Sequence, residues 1–102
     1  MATLVALYKT PVDSKAFDEY YFSTHIPLAK TIPGLRRCEV SKGAVSTPQG
    51  ESSYHMVAIL SFDSAEALQQ GLASAEGKAT AGDIGNFAQA GVELLVFDSK
   101  VV

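Results

Sequence analysis

Two histidines, four tyrosines and a scatter of carboxylates and amides are the groups in this 102-residue chain that could move protons. His25 stands in the most suggestive place, four residues after Tyr21 and two before Pro27. A helix through this region puts Tyr21 and His25 on one face. Imidazole titrates near neutral pH and can act as general acid or base. Isomerisation, cyclisation and dehydration of activated carbonyl compounds all turn on such transfers. A second reading is equally physical. Pro27 frees backbone carbonyls nearby, and a protonated histidine at a helix C-terminus can simply cap them, favoured by the macrodipole. Tyr21 can donate its phenol to a substrate oxygen, or it is a core residue with a wet tip. Its neighbour Tyr20 points about 100° away, so at most one of the two shares the His25 face fully.

The other candidates carry less. Tyr54 and His55 fall on opposite faces of a strand, and His55 reads as a solvated strand-end residue or as a lining of the cleft or of the dimer side. Asp83 and Asn86 close a glycine-punctuated stretch, Gly77 to Gly85, which reads as a short helical turn or an irregular lid. There they could hold a ligand or cap a short helix. Cys38 reads as a packed small side chain, with Arg36 and Arg37 as the only hints of thiolate character. Histidines far apart, one cysteine and no HxxxH or CxxC spacing give no metal site. Glycines 77, 82 and 85 do not lead from strand to helix with GxGxxG spacing, so there is no phosphate loop. No cofactor is expected. Haem, with His25 or His55 as axial ligand, is the remaining option.

Composition narrows the class. Apolar residues make up 47% of the chain, ample for one core and too rich for disorder. A net charge of −3 with no basic stripe argues against nucleic acid or an anionic membrane. No stretch approaches the roughly 20 apolar residues of a membrane span. The start carries no signal-peptide pattern, and a lone cysteine fits a reducing compartment. The expectation is a cytoplasmic protein.

The elements that would position these groups follow from periodicity. Thr3 to Tyr8 reads as a strand buried on both faces, ended by Pro11. Asp13 caps a helix whose stripe runs through Phe17, Tyr20, Tyr21, Thr24 and Leu28, with Pro27 bending its end. Leu35 to Ala44 is a second strand, with Leu35, Arg37 and Glu39 on one face and Arg36, Cys38 and Val40 on the other. Residues 46–53 form a polar connection, and Tyr54 to Phe62 a third strand. Asp63 and Glu66 make a capping box for a helix with inner residues Ala65, Leu68 and Leu72. Val92 to Phe97 is a last strand, again apolar on both faces.

The order βαββαβ is that of a single α+β domain, residues 1–102, with ferredoxin-like topology: a four-stranded antiparallel sheet with both helices on one face. Strands apolar on both faces cannot leave the other face in water. A second copy covering it gives a homodimer built as a dimeric α+β barrel.

The run Tyr8-Lys9-x-Pro11-x-Asp13-x-x-x-Phe17-Asp18-x-Tyr20-Tyr21-x-x-x-His25-x-Pro27-Leu28-Ala29, with Asp83-Ile84-x-Asn86-Phe87 before the last strand, resembles the EthD family. That resemblance covers nearly the whole chain and implies a dimeric α+β barrel. It also implies small substrates, often aromatic or lactone, because related folds include muconolactone methylisomerase-like enzymes, cyclases, dehydratases, quinone-forming monooxygenases and haem-degrading branches.

Three functional readings are open. One is a cofactor-independent isomerase, cyclase, dehydratase or oxygenase acting on a small hydrophobic ring compound. His25 would move the proton and Tyr21 would assist. The pocket, between helices and sheet, would be walled by Phe17, Leu28, Leu72 and Phe87, with Asp83 and Asn86 on its lid. Another is a non-catalytic binding or accessory protein for a hydrophobic metabolite. The third is a purely structural unit, which needs no cavity at all.

Overall fold

The computed structural model describes residues 1–102. In chain order it contains β1 (Ala2–Lys9), α1 (Ser14–Tyr20), a π-helical turn (Tyr21–His25), α2 (Ile26–Ala29), β2 (Leu35–Val40), β3 (Ser46–Thr47), β4 (Gly50–Glu51), β5 (Tyr54–Phe62), α3 (Ala65–Ala73), α4 (Ala75–Asp83), a 3₁₀ turn (Ile84–Asn86) and β6 (Val92–Asp98). The four long strands form one sheet in the order β2-β5-β1-β6, every neighbouring pair antiparallel. This is the interleaved ferredoxin-like arrangement. No helix is long and apolar enough to cross a membrane.

Strand alternation separates the two faces of the sheet. Ala2, Leu4, Ala6 and Tyr8 of β1, with Met56, Ala58, Leu60 and Phe62 of β5, are buried under the helices against Phe17, Tyr21, Ile32, Leu68 and Phe87. The opposite face carries Val5, Leu7, Val57 and Ile59, only half-buried in a single chain. The edge strand β6 departs from its expected burial. Leu94 and Val96 on the helix side and Leu95 and Phe97 on the other are each about half exposed, at 48%, 50%, 51% and 48%. An edge strand has a neighbour on one side alone, so its apolar pattern goes unmet within one chain.

Other expectations shift by a residue or two for identifiable reasons. β2 ends at Val40, and its register jumps from Leu35↔Phe62 to Arg37↔Ser61. Arg36 is the extra residue of a bulge, which puts Leu35 on the core side with Cys38 and Val40 rather than beside Arg37. The polar connection carries its own hairpin, β3 with β4. Ser64, not Asp63, caps α3, its hydroxyl accepting from the Ala67 amide at 3.1 Å. Asp63 turns instead to Arg36, 2.8 Å away. With the helix starting one residue later, Leu68 is fully buried while Ala65 is exposed.

The glycine-rich stretch is neither a lid nor irregular. Ser74 accepts from the Gly77 amide at 3.0 Å and starts α4, which runs without a break to Asp83. Its glycines are not alike. A Cβ on Gly77 would stand 2.2 Å from the carbonyl oxygen of Gly71, because α3 and α4 meet there backbone to backbone. Gly82 has nothing within 4 Å. Gly77→Ala should therefore cost about 2 kcal/mol or more by overpacking. Gly82→Ala should instead stabilise by about 0.5–1 kcal/mol through helix propensity. Urea unfolding of the two variants checks both signs, and a neutral Gly77→Ala would disprove the close approach.

Candidate functional site

The first helical segment presents Phe17, Tyr21, His25 and Ala29 to the interior, all at least 96% buried. Four-residue steps overshoot a full α-helical turn by about 40° each, so three of them would drift off the face. The π turn absorbs that drift. Its wider winding runs from Tyr21 to His25, where the Ile26 amide reaches back five residues to the Tyr21 carbonyl. Pro27 lies just beyond, without an amide to donate. The expected stripe, which passed through Thr24, is thereby corrected: Thr24 is exposed and His25 takes the inward position.

His25 is not spent on backbone carbonyls. Its Nδ1 lies 2.9 Å from Oδ2 of Asp83, at the end of α4, and both residues are buried. Asp83 also accepts from the Tyr20 hydroxyl at 2.6 Å and the Asn86 amide at 3.0 Å, both on Oδ1. Burial pushes the Asp83 carboxyl up. The hydrogen bonds from Tyr20, Asn86 and His25 push the other way and win, leaving its pKa below the ordinary value. Donating to that carboxylate is also the main reason Tyr20 is harder to ionise. An ionised carboxylate has no proton to give, so Nδ1–H of His25 donates to it, and in the neutral form of the ring Nε2 carries the lone pair.

That Nε2 makes no hydrogen bond in the chain, yet no buried side-chain nitrogen or oxygen is left without a partner. It therefore retains some access, and His25 lines a cavity of about 160 Å³ between helices and sheet. Thirteen of the sixteen lining residues are hydrophobic, among them Leu4, Leu60, Ile32 and Leu72, and none is Lys, Arg, Asp or Glu. An apolar space of this order accepts a benzene-sized molecule. Tyr8 and Tyr21 also line it. Burial is the main influence on both phenols. It pushes Tyr8 up to about 12 although the neighbouring Tyr21 phenol works against it, and it raises Tyr21 further, with Tyr8 adding to the effect. Both stay protonated donors across the working pH range.

The structure thus brings His25, Tyr21 and Leu72 to one cavity and sets Asp83 directly behind His25. Phe87 packs on the imidazole at 4.6 Å and Phe17 stacks on Tyr21 at 5.7 Å, so both support the site from outside the lining. Leu28 is half-buried and is not among the lining residues, where Ile26 and Ala29 stand instead. Asn86 is exposed and reaches the site through Asp83. Tyr8 and Tyr20 were missed by sequence reasoning. The period-two alternation Leu4, Ala6, Tyr8 could have placed the first, but nothing local announces the second. His55 is not a freely solvated strand end: its Nε2 lies 2.7 Å from Oδ1 of Asp18 and its ring meets Phe17 edge-on at 5.1 Å, bordering a separate open cleft. Cys38 is packed, and burial raises its thiol pKa.

The network sets an acid dependence. A carboxyl whose folded pKa lies below its unfolded value contributes stability in full above about pH 4 and loses it as pH falls through the folded value. Urea midpoints measured from about pH 6 to pH 3 should fall more steeply for the wild type than for Asp83→Asn, which starts lower. Parallel curves would show that Asp83 is not held this way.

Comparison with known proteins agrees with this picture. A family model described as the EthD domain matches residues 9–91. A Rhodococcus erythropolis protein, described as an uncharacterized 11.0 kDa protein in the thcB–thcC intergenic region, is 37% identical over 102 residues, covering 100% of this chain and 98% of that one. The crystal structure of an EthD family protein from Bacillus halodurans superposes with a TM-score of 0.90 at 41% identity, covering 98% of this chain and 99% of that one. SnoaB, a cofactor-independent oxygenase from Streptomyces nogalater, shares the fold at a TM-score of 0.69 and 15% identity, over 99% of this chain and 94% of that one. With the family match spanning both helical segments and strands β2 and β5, and the Bacillus halodurans structure covering 98% of the chain, this chain belongs to the EthD family.

Proposed function

We propose that this protein transforms a small hydrophobic ring compound by proton transfer, without a cofactor, as an isomerase, cyclase, dehydratase or cofactor-free oxygenase. One observation carries the reading: a buried imidazole that lines an apolar cavity has Nδ1 held by a buried carboxylate and Nε2 without a partner in the chain. That is the arrangement of a general base whose orientation and tautomer are fixed from behind. Asp83 is the positioning residue and His25 the catalytic one. Tyr21, stacked on His25 at 5.4 Å, supplies a donor. SnoaB is an oxygenase that needs no cofactor, so the scaffold is compatible with chemistry that rests on side chains alone.

The assembly we propose is a homodimer through the bare sheet face. Val5, Leu7, Val57, Ile59, Leu95 and Phe97 there form a continuous apolar surface that a monomer would have to leave in water.

Two measurements test these readings. Light scattering should give twice the 10.8 kDa chain mass, and Leu95→Lys should shift it to the monomer. A monomeric wild type at micromolar concentration ends the dimer. In a screen of cyclic ketones and lactones, His25→Ala should retain fold and dimer but lose turnover by about 10²–10⁴-fold, the size of a general-base contribution. A binding or accessory protein needs the apolar walls without the imidazole, so unchanged ligand affinity with no turnover by either protein would favour that reading.

A further inference from the structure

Granted that His25 moves a proton, on which this inference rests, the kind of molecule that enters the cavity is legible in its polar atoms. Tyr8, from the middle sheet strand β1, and Tyr21, from the π turn, are 2% and 1% exposed. The two phenols are hydrogen-bond partners of one another: the contact makes Tyr8 easier and Tyr21 harder to ionise, as it does when Tyr21 donates and Tyr8 accepts. Both residues line the same cavity as His25. The remaining polar side chain there, Thr80, is occupied: its hydroxyl donates to the Glu76 carbonyl at 2.8 Å. The rings of Tyr8 and Tyr21 meet edge to face with centroids 5.4 Å apart, and Tyr21 lies over His25 at a further 5.4 Å. An otherwise apolar space therefore carries a linked pair of phenols, with the Tyr8 O–H left to donate, and an imidazole whose Nε2 has no partner in the chain.

We propose that Tyr8 and Tyr21 form an oxygen-binding pair and that the substrate is an uncharged, single-ring compound with an enolisable carbonyl. The carbonyl oxygen lies against the two phenols while a neighbouring C–H faces Nε2 of His25. Nε2 removes that proton, the C–H electron pair becomes the C=C of an enolate, and the carbonyl π pair moves onto oxygen, where the Tyr8 O–H, backed by the hydrogen bond from Tyr21, stabilises it. Where the ring also carries a C=C in the β,γ position, the enolate is a dienolate, and returning the proton from imidazolium to its γ carbon shifts the C=C into conjugation, an isomerisation with no oxidant, reductant or second substrate. The same lining excludes anions. It holds no Lys or Arg, and the nearest charge behind the imidazole is the Asp83 carboxylate, so a carboxylate or phosphate would be desolvated without a partner.

The test needs binding alone and so is independent of turnover. Phenol carries an enol-like oxygen on a six-membered ring, toluene has the ring without the oxygen, and benzoate has the ring with a charge. Calorimetric titration of the wild type near neutral pH should detect phenol and toluene, with benzoate at least tenfold weaker than phenol. Tyr8→Phe should weaken phenol roughly tenfold, as losing one hydrogen bond does, Tyr21→Phe should weaken it less, and both should leave toluene unchanged. Unchanged toluene binding also shows that each variant is folded with its cavity intact. Phenol binding indifferent to both substitutions overturns the oxygen-binding pair. Benzoate binding as tightly as phenol overturns the neutral-substrate assignment. Either result leaves the His25 experiment standing, whereas failure of all three probes to bind removes the cavity as a ligand site.

Discussion

A carboxylate almost cut off from water has to be surrounded by donors, and Asp83 draws them from both sides of the helical layer. Tyr20 comes from α1, His25 from the π turn and Asn86 from the 3₁₀ turn. The last turn of α4 is thereby tied to the first helical segment across about sixty residues of sequence, by bonds that little solvent competes for. Charge-assisted hydrogen bonds of this kind are roughly twice as strong as neutral ones, and leaving one unmade at a buried site is costly. The same bonds fix the imidazole. Structural and chemical demands therefore fall on one group, and the cavity has its shape because Asp83 is satisfied.

Much of this architecture was legible in the residue order. Strand periodicity places β1, β5 and β6 within a residue at either end, and the Asp13 cap marks the start of α1, where it accepts from the Ala16 amide at 3.0 Å. The βαββαβ order leads directly to the sheet that forms. Tyr21 and His25 were matched because four-residue spacing is local. Where reading failed, two signals competed. Asp63 and Ser64 are both competent caps, and the choice between them depends on Arg36, which lies on another strand. The glycines of α4 looked like breaks, since propensity counts them against a helix, but one of them is where the neighbouring helix needs to come close.

The site was half legible for a different reason. Residue types and spacing nominate His25, yet its partner lies 58 positions away and no periodicity links them. Tyr20 was set aside because adjacent residues diverge by about 100° on a helix. It belongs to the site all the same, since its hydroxyl goes past the imidazole to Asp83. Tyr8 looked like ordinary core. Its phenol matters because the helices above β1 stop short of filling the space, a property of packing and not of pattern. His55 shows the converse: a strand-end position suggested solvent, and a carboxylate on the facing helix claimed it.

The π turn has a consequence for how this helix can change over evolutionary time. A turn closed by i→i+5 bonding holds one residue more than an α turn, so removing a single residue between Tyr21 and His25 would restore an ordinary turn and leave the helix beyond it, Ile26 and Ala29 included, facing nearly as before. The loss would fall on the wide turn itself, where the four-residue step from Tyr21 to His25 would become a three-residue one. The extra residue therefore serves the aim of the imidazole and not the course of the helix, and homologous chains without it should keep the fold while the histidine shifts.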